Sequence, residues 1–457
     1  MGLWLVLITF SSSLISWLLV FIILLNQGPL QWLDLPTVFT RGVPEALVLA
    51  LLLKVAFQRI LTDRPIRMVG IWPVTGLLIC MGLSALTTST GSVAALLFAR
   101  HALVFYGLFI AALNMDLNPR SYRVITSFLI LMALVQLPVG FAKFALLGIQ
   151  EGGFIGTLPM NAGSLSTIMP LFVIALLLSG YCWLGKPYLL ALVPWFLAFG
   201  IVGEKRAIAF FFPMVLLVVY LIWLYDRSGR RALLYRAGSI RFTLLAGMIW
   251  VMSFAGLYVA GRTLISLNPE QRVGGSFDLV YAVQEMYDYT TGANREIELY
   301  SDDANQSVVS GSELSAGRVS STIFTVQDLA AQGPMTLALG RGPGLLVQSS
   351  LTGGNLFQSY LTLGIARGTT GFVWMVQQIG LLGVAFFLAL HAVLGHHIWR
   401  IYKRALSPAG KAMGLALISS LFVFLLDFMA YSSSWISTGT VQPVWYMLTA
   451  RLMDTNE

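Results

Sequence analysis

Charged side chains are scarce in this sequence. They make up 11% of its 457 residues, and hydrophobic residues make up 57%, whereas soluble proteins average about 25% charged residues. The mean hydropathy is +0.80. These values exclude a soluble globular fold and predict an all-α integral membrane protein. The formal net charge of +8 gives no argument for nucleic acid as a partner, because membrane proteins concentrate basic residues in their cytoplasmic loops.

Cysteine and histidine are also rare. The two cysteines, Cys80 and Cys182, are expected in opposite halves of the membrane, so neither a disulfide nor redox chemistry is predicted. Three of the four histidines, His391, His396 and His397, fall at one predicted helix end beside basic residues. No paired cysteines, nucleotide-binding fingerprint or nucleophile-elbow motif occurs. The sequence therefore predicts neither a metal site nor a cofactor.

Long apolar runs are abundant, by contrast. About twelve are long enough to cross roughly 30 Å of hydrocarbon. The first lacks a basic n-region and a small-residue cleavage site, so it is expected to be a retained helix and not a signal peptide. The predicted spans are 4–25, 44–58, 69–88, 92–113, 123–147, 161–180, 187–203, 206–225, 243–261, 371–395, 412–430 and 433–452.

Basic residues are distributed unequally between the predicted connections. With the N-terminus inside, one set of connections carries most of the lysines and arginines, and the opposite set of short connections holds little beyond Arg41, Lys205 and Arg206. By the positive-inside rule this predicts a multi-pass membrane protein with both termini cytoplasmic. The basic set comprises Arg59, Arg64, Arg67, Arg120, Arg123, Lys186, Arg227, Arg230, Arg231, Arg236, Arg241, Arg400, Lys403, Arg404 and Lys411.

One long polar segment interrupts the apolar pattern. It divides the chain into residues 1–261 with nine spans, a large periplasmic loop at 262–370, and residues 371–457 with three spans. Within the loop, apolar residues recur at near-helical spacing over 277–287 and 319–330, and Gly333-Pro334 supplies a stop. The loop is therefore predicted to contain two short amphipathic helices.

Several cationic residues map to the outer half of the predicted bundle or to the loop above it. An arginine inside the hydrocarbon, such as Arg100, costs at least about 2.5–3.5 kcal/mol on insertion scales, so it should face a polar interior or an anion. His101 either shares that polar face or takes part directly. The remaining cations could equally be interfacial anchors that extend to lipid phosphates. The set forms a candidate cationic basin for a lipid-linked phosphate and comprises Arg100, Lys143, Lys205, Arg206, Arg318, Arg341 and Arg367.

A glycine-rich stretch, Gly340-Arg341-Gly342-Pro343-Gly344, lies near the end of the loop. Glycines permit close approach of a backbone to a ligand, and the exposed amides of Gly342 and Gly344 could hold an anion. A turn that merely precedes a membrane helix is the alternative interpretation.

Three stretches resemble motifs of the O-antigen polymerase and O-antigen ligase superfamily of bacterial envelope glycan assembly. One is Gly153-Phe154-Ile155-Gly156 followed by Asn161, and one is the helix start 202–207, in which Arg206 matches the family arginine. The third runs from Arg318 through 339–344 to Gln378-Ile379-Gly380-Leu381-Leu382-Gly383. The resemblance implies a multi-pass protein of the bacterial inner (cytoplasmic) membrane, with about twelve helices and one large periplasmic loop.

The sequence departs from the family pattern at one place. Where the family commonly carries a His-Asn pair, this chain has Thr369-Thr370, and its loop contains no histidine. The general base is therefore unassigned, and Asp328, Glu313, Glu298 and Glu204 are candidates, because a carboxylate can take this role.

The resemblance implies a metal-independent glycosyltransferase. The donor would be an oligosaccharide on undecaprenyl diphosphate, and an acceptor sugar hydroxyl would attack its anomeric carbon. Arg206, Arg318 and Arg100 would stabilise the departing diphosphate, and Asp328 joins Arg206 and Arg318 as a candidate catalytic residue. A polymerase of repeat units for O-antigen, capsule or exopolysaccharide is the first interpretation, with a chain-length regulator and a flippase as partners.

Three alternatives stay open. An O-antigen ligase would transfer the glycan to lipid A core or to protein. A flippase or transporter for lipid-linked oligosaccharides would show internal repeats and interrupted helices. A non-catalytic scaffold of an envelope assembly complex would need no base.

Overall fold

The computed structural model describes most of the predicted membrane region and part of the loop. The described residues are 84% helical and contain no strand. They comprise 11–26, 28–29, 37–88, 90–117, 121–147, 156–158, 165–203, 206–236, 247, 251, 254–259, 261–263, 267–270, 272, 274–291, 318–346, 370–431 and 440–454.

The first half of the described chain forms nine helices. Their bounds are α1 Ser13–Leu25, α2 Thr37–Thr62, α3 Ile71–Thr87, α4 Ser92–Leu113, α5 Ser121–Leu147, α6 Leu165–Leu184, α7 Pro187–Ala191, α8 Val193–Val202 and α9 Arg206–Arg236.

The second half adds three helices within the predicted loop and three helices after it. Their bounds are α10 Leu279–Thr291, α11 Arg318–Ala331, α12 Pro334–Leu339, α13 Gly371–Arg404, α14 Pro408–Ala430 and α15 Val441–Asp454. The two amphipathic loop helices predicted from periodicity correspond to α10 and α11, and α12 begins at Pro334, directly after its N-cap Gly333.

The chain is a multi-pass α-helical membrane protein. Among the described residues, six helices are long and apolar enough to cross a bilayer, and three shorter ones are apolar. The count of twelve spans stays a prediction. The six are 92–113, 124–143, 165–184, 207–226, 371–404 and 408–430.

The core of the bundle is built around α6, whose residues from Leu165 to Gly180 are all buried. Phe172 of α6 packs against Phe424 of α14, with ring centroids 5.8 Å apart. Helices on every side of α6 exclude lipid from it, so its sequence is apolar all round and shows no polar stripe.

Helix ends that the sequence assigned to one side of the membrane do meet. Asp226, at the end of the apolar span 207–226 of α9, binds Lys403 at 2.9 Å and Lys411 at 2.6 Å. Arg59 at the end of α2 donates to the Asn114 carbonyl oxygen at the end of α4. We call this the inner end and the opposite one the outer end, following the predicted orientation, which itself stays a prediction.

Helix α13 is not continuous. Gly380 has φ 65° and ψ −175°, which no helix contains. A methyl group on Gly371 would overlap the ring of Phe428, and the Phe387 ring also packs on Phe428, with centroids 5.3 Å apart. In a straight helix Gly371 and Phe387 would stand about 24 Å apart. The chain therefore turns back at Gly380, and Gly371–Ile379 is a half-helix folded against the outer end of the long helix.

Candidate functional site

The half-helix Gly371–Ile379 is the element on which the outer end of the bundle converges. Its first residues are buried, and the Thr370 side chain caps it by accepting a hydrogen bond from the Val373 amide at 3.2 Å. The half-helix carries no charged residue of its own. The chemistry around it must therefore come from its neighbours.

The glycine-rich loop closes the other end of the half-helix. A helix leaves its last carbonyl oxygens without intrahelical donors. Here the Arg341 amide donates to the Gln377 oxygen at 2.7 Å, and the Gly342 amide donates to the Gln378 oxygen at 3.2 Å. The Gly344 amide donates to Gln378 Oε1 at 3.1 Å. The predicted substrate amides of Gly342 and Gly344 are thus engaged with protein oxygens.

These glycines also allow close packing. Gly342 has φ 124°, and a side chain on it would meet the Thr90 hydroxyl. Gly344 has φ 90°, and a side chain there would meet the backbone of Ala94. The loop therefore joins the half-helix to the ends of α3 and α4, as a structural turn does.

Arg341 and Asp328 form an ion pair beside this loop. The Arg341 side chain is 12% exposed, and its Nε donates to Gln332 Oε1 at 3.3 Å. Its Nη1 is buried and has no hydrogen-bond partner among the described residues, so this nitrogen could donate to a substrate. Asp328 also accepts from Gln332 Nε2 at 3.2 Å. These contacts favour a structural role for Asp328, as the ion-pair partner of Arg341, over a role as general base.

We expect Asp328→Ala to lower the free energy of unfolding by about 1–3 kcal/mol, because it leaves the nearly buried guanidinium of Arg341 without its anion. Thermal unfolding in detergent measures the change. Asp116→Ala is the matched control, since Asp116 pairs with Arg64 on the surface at 3.7 Å and such pairs contribute about 0–1 kcal/mol. Equal unfolding of both variants would show that the Asp328–Arg341 pair does not tie α11 to the loop.

Arg318 stands at the first residue of α11 and covers an aromatic ring of the bundle. Its guanidinium carbon lies 5.8 Å from the ring centroid of Tyr431, just after α14. Tyr431 meets Phe211 of α9 edge to face, with centroids 5.9 Å apart. Phe211 follows Arg206 by five positions in α9. Two helix starts that carry the predicted arginines thus converge on Tyr431.

Arg100 lies on α4, beside residues that contact the half-helix. It pairs with Glu45 of α2, and both side chains are partly exposed. The next residue, His101, packs its ring against Trp374 of the half-helix with centroids 5.3 Å apart. Phe98 stacks on Trp374 at 5.3 Å. An aromatic contact therefore attaches the outer part of α4 to the half-helix.

Lys143 lies in α5, a helix that carries none of the residues described above. Its side chain is buried, and its Nζ donates to the Gly156 carbonyl oxygen at 3.1 Å. Gln136, about two helical turns earlier in α5, accepts from the Thr157 amide at 2.8 Å. Both contacts hold residues 156–158 against α5, so Lys143 has a structural partner in addition to its predicted role in substrate binding.

Some predicted site residues lie outside the described part of the chain. They are Lys205, Glu204, Glu298, Glu313, Arg367 and the side chain of Arg206. The sequence interpretation in turn missed the aromatic partners Tyr431, Phe211 and Trp374. Gly380 and Gly383 are the sequence feature that could have indicated the break in α13.

No protein-family profile and no curated protein matches this chain. Among the described residues, no group of three His, Cys, Asp or Glu side chains converges as a metal site would require.

Proposed function

We propose that this protein is a polymerase of lipid-linked oligosaccharide repeat units. It would transfer the glycan from undecaprenyl diphosphate to a sugar hydroxyl of an acceptor at the periplasmic face. The observation that carries the proposal is the convergence of α9, α11 and α14 on Tyr431, with Arg318 stacked over its ring.

This geometry suits a diphosphate whose prenyl tail stays in the membrane. A guanidinium held over an aromatic face keeps its planar fork oriented, and that fork matches phosphate oxygens with paired hydrogen bonds. The position at the outer helix ends allows the tail to lie along the bundle while the glycan extends into water. Cationic donors fixed before reaction can stabilise a leaving diphosphate without reorganisation.

The break in α13 favours a second candidate, a transporter of lipid-linked oligosaccharide, because transporters often use interrupted helices. Such helices are usually interrupted near the bilayer midplane, however. Here Leu381–Arg404 remains continuous over about 36 Å, so the break lies at one end of a full span. We therefore place the transporter second.

The direct test uses purified protein in liposomes with undecaprenyl-diphosphate-linked repeat units. We expect glycans longer than one repeat and release of free undecaprenyl diphosphate, both resolved by chromatography and mass spectrometry. Transfer to lipid A core only when that acceptor is added would favour the ligase. Movement of intact donor across the bilayer without release of diphosphate would favour the transporter and overturn the proposal.

A further inference from the structure

Helices α10 and α11 turn apolar side chains outward. On a surface helix of a water-soluble protein, the apolar stripe faces the core and the polar side faces the solvent. Here seven large apolar residues of the two helices are 43–78% exposed. They are Leu279, Val280, Val283 and Tyr287 of α10, and Val319, Ile323 and Phe324 of α11.

The polar side of α11 faces the protein. Ser321 and Thr325, one turn apart, are both buried, and Gln377 Nε2 of the half-helix donates to Thr325 Oγ1 at 3.4 Å. Both charged residues of α11, Arg318 and Asp328, lie on this same side at about 100° per residue. They contact Tyr431 of the bundle and Arg341 of the glycine-rich loop. The amphipathic pattern of α11 is therefore the reverse of that of a helix that faces water.

The outward side of the two helices carries no charge. Among the side chains of α10 and α11 that the structure describes, every exposed one is apolar or is Gln284 or Gln327. Leu329 is the only buried apolar residue described in α11. Water-soluble surfaces rarely expose a contiguous apolar patch unless it binds something. The outward side is therefore expected to meet an apolar partner.

The apolar surface continues onto a predicted membrane span. In the described part of 243–261, Val251 and Phe254 are exposed. Phe277, two positions before α10, meets Phe254 and Tyr258 edge to face, with ring centroids 5.8 Å and 5.3 Å apart. Helix α10 therefore begins beside the outer end of that span, where its exposed side chains follow directly on those of the span.

We propose that α10 and α11 lie in the membrane leaflet at the outer end of the bundle, with their outward sides among the lipid acyl chains. Helices at this boundary bury an apolar face about 5–10 Å deep. Lipid fits better than a protein partner, because the surface continues that of a predicted span and has no charge with which to select a partner. The inference concerns the placement of two helices and does not depend on the proposed transfer reaction.

The test measures the surroundings of single spin labels on the full-length protein in liposomes. Cys80 and Cys182, the two native cysteines, are first replaced by alanine, so that each label reports one introduced cysteine. The labels are attached to Val283→Cys in α10 and Ile323→Cys in α11, at positions that are 52% and 51% exposed. Collisions with oxygen, which concentrates in lipid, are compared with collisions with a nickel chelate, which stays in water.

Two reference positions calibrate the measurement. Leu217→Cys reports lipid, because Leu217 is 49% exposed within the apolar span 207–226. Asp116→Cys reports water, because the Asp116 side chain is 68% exposed after the end of α4. We expect the labels at Val283 and Ile323 to favour oxygen over the nickel chelate as the label at Leu217 does.

Two other outcomes would overturn the proposal. Labels at Val283 and Ile323 that favour the nickel chelate, as the label at Asp116 does, would place both helices in water. Labels that neither reagent reaches would show that a second copy or another protein covers the surface. Val280→Cys and Val319→Cys repeat the measurement about one turn away, so that the result does not rest on one variant that fails to fold.

Discussion

Replacing Arg318 by alanine should lower the polymerisation rate by about 10²–10³-fold, the loss seen when one fixed donor to a developing anion is removed. The affinity for the lipid-linked donor should fall as well, because in the proposed reaction the guanidinium binds the diphosphate before and during transfer. Steady-state release of undecaprenyl diphosphate gives the rate, and donor titration gives the affinity. Arg318→Lys should recover only part of both, since lysine keeps the charge but not the planar fork.

Arg64→Ala is the matched control for this series. Arg64 is also an arginine, but it lies at the inner end, where its side chain is 61% exposed. It should leave both rate and affinity at wild-type values. Full activity of Arg318→Ala would show that the convergence of helices on Tyr431 is not the catalytic site, and it would overturn the proposed function.

Replacing Gly380 by alanine should prevent stable folding or cost about 3 kcal/mol or more. Gly380 has φ +65°, a conformation that side chains rarely adopt, and its added carbon would meet the Ala338 carbonyl oxygen and the Leu339 amide nitrogen. Both are backbone atoms, so neither can rotate away. The yield of monodisperse protein and its thermal unfolding in detergent measure the effect.

Gly82→Ala serves as the comparison, because it lies in the helical part of α3 and a methyl group there meets no atom within 4 Å. This variant should unfold like the wild type or gain up to about 1 kcal/mol from better helix propensity. If Gly380→Ala proved as stable as Gly82→Ala, α13 would have to be a straight helix in the membrane.

The membrane class and most helix positions could be predicted from the sequence. Apolar runs locate α4, α6 and α14 within a few residues, because length and hydropathy are local properties. The apolar spacing at 319–330 likewise located α11, and Gly333-Pro334 located its end. These features need no knowledge of any partner.

The reversal at Gly380 could not be predicted in this way. The run 371–395 is apolar on both sides of Gly380, and hydropathy does not register a change of chain direction. The pairing of Arg318 with Tyr431 and of Arg341 with Asp328 depends on how distant helices pack. In the sequence, the arginines could be grouped only by their charge. The packing of the helices distinguishes Arg318, which lies over an aromatic ring, from Arg341, which is in an ion pair.

The length of the half-helix has a consequence for biogenesis. Gly371–Ile379 is far shorter than the roughly 20 residues that a translocon recognises as a span, whereas Leu381–Arg404 is long enough. Insertion should therefore anchor the long segment first. In the predicted orientation, the half-helix then reaches its place only when the loop that carries Arg341 and Gly342 has crossed the membrane, because their amides bind its last carbonyl oxygens. The outer end of the bundle is thus completed last, after the transmembrane scaffold beneath it is already in place.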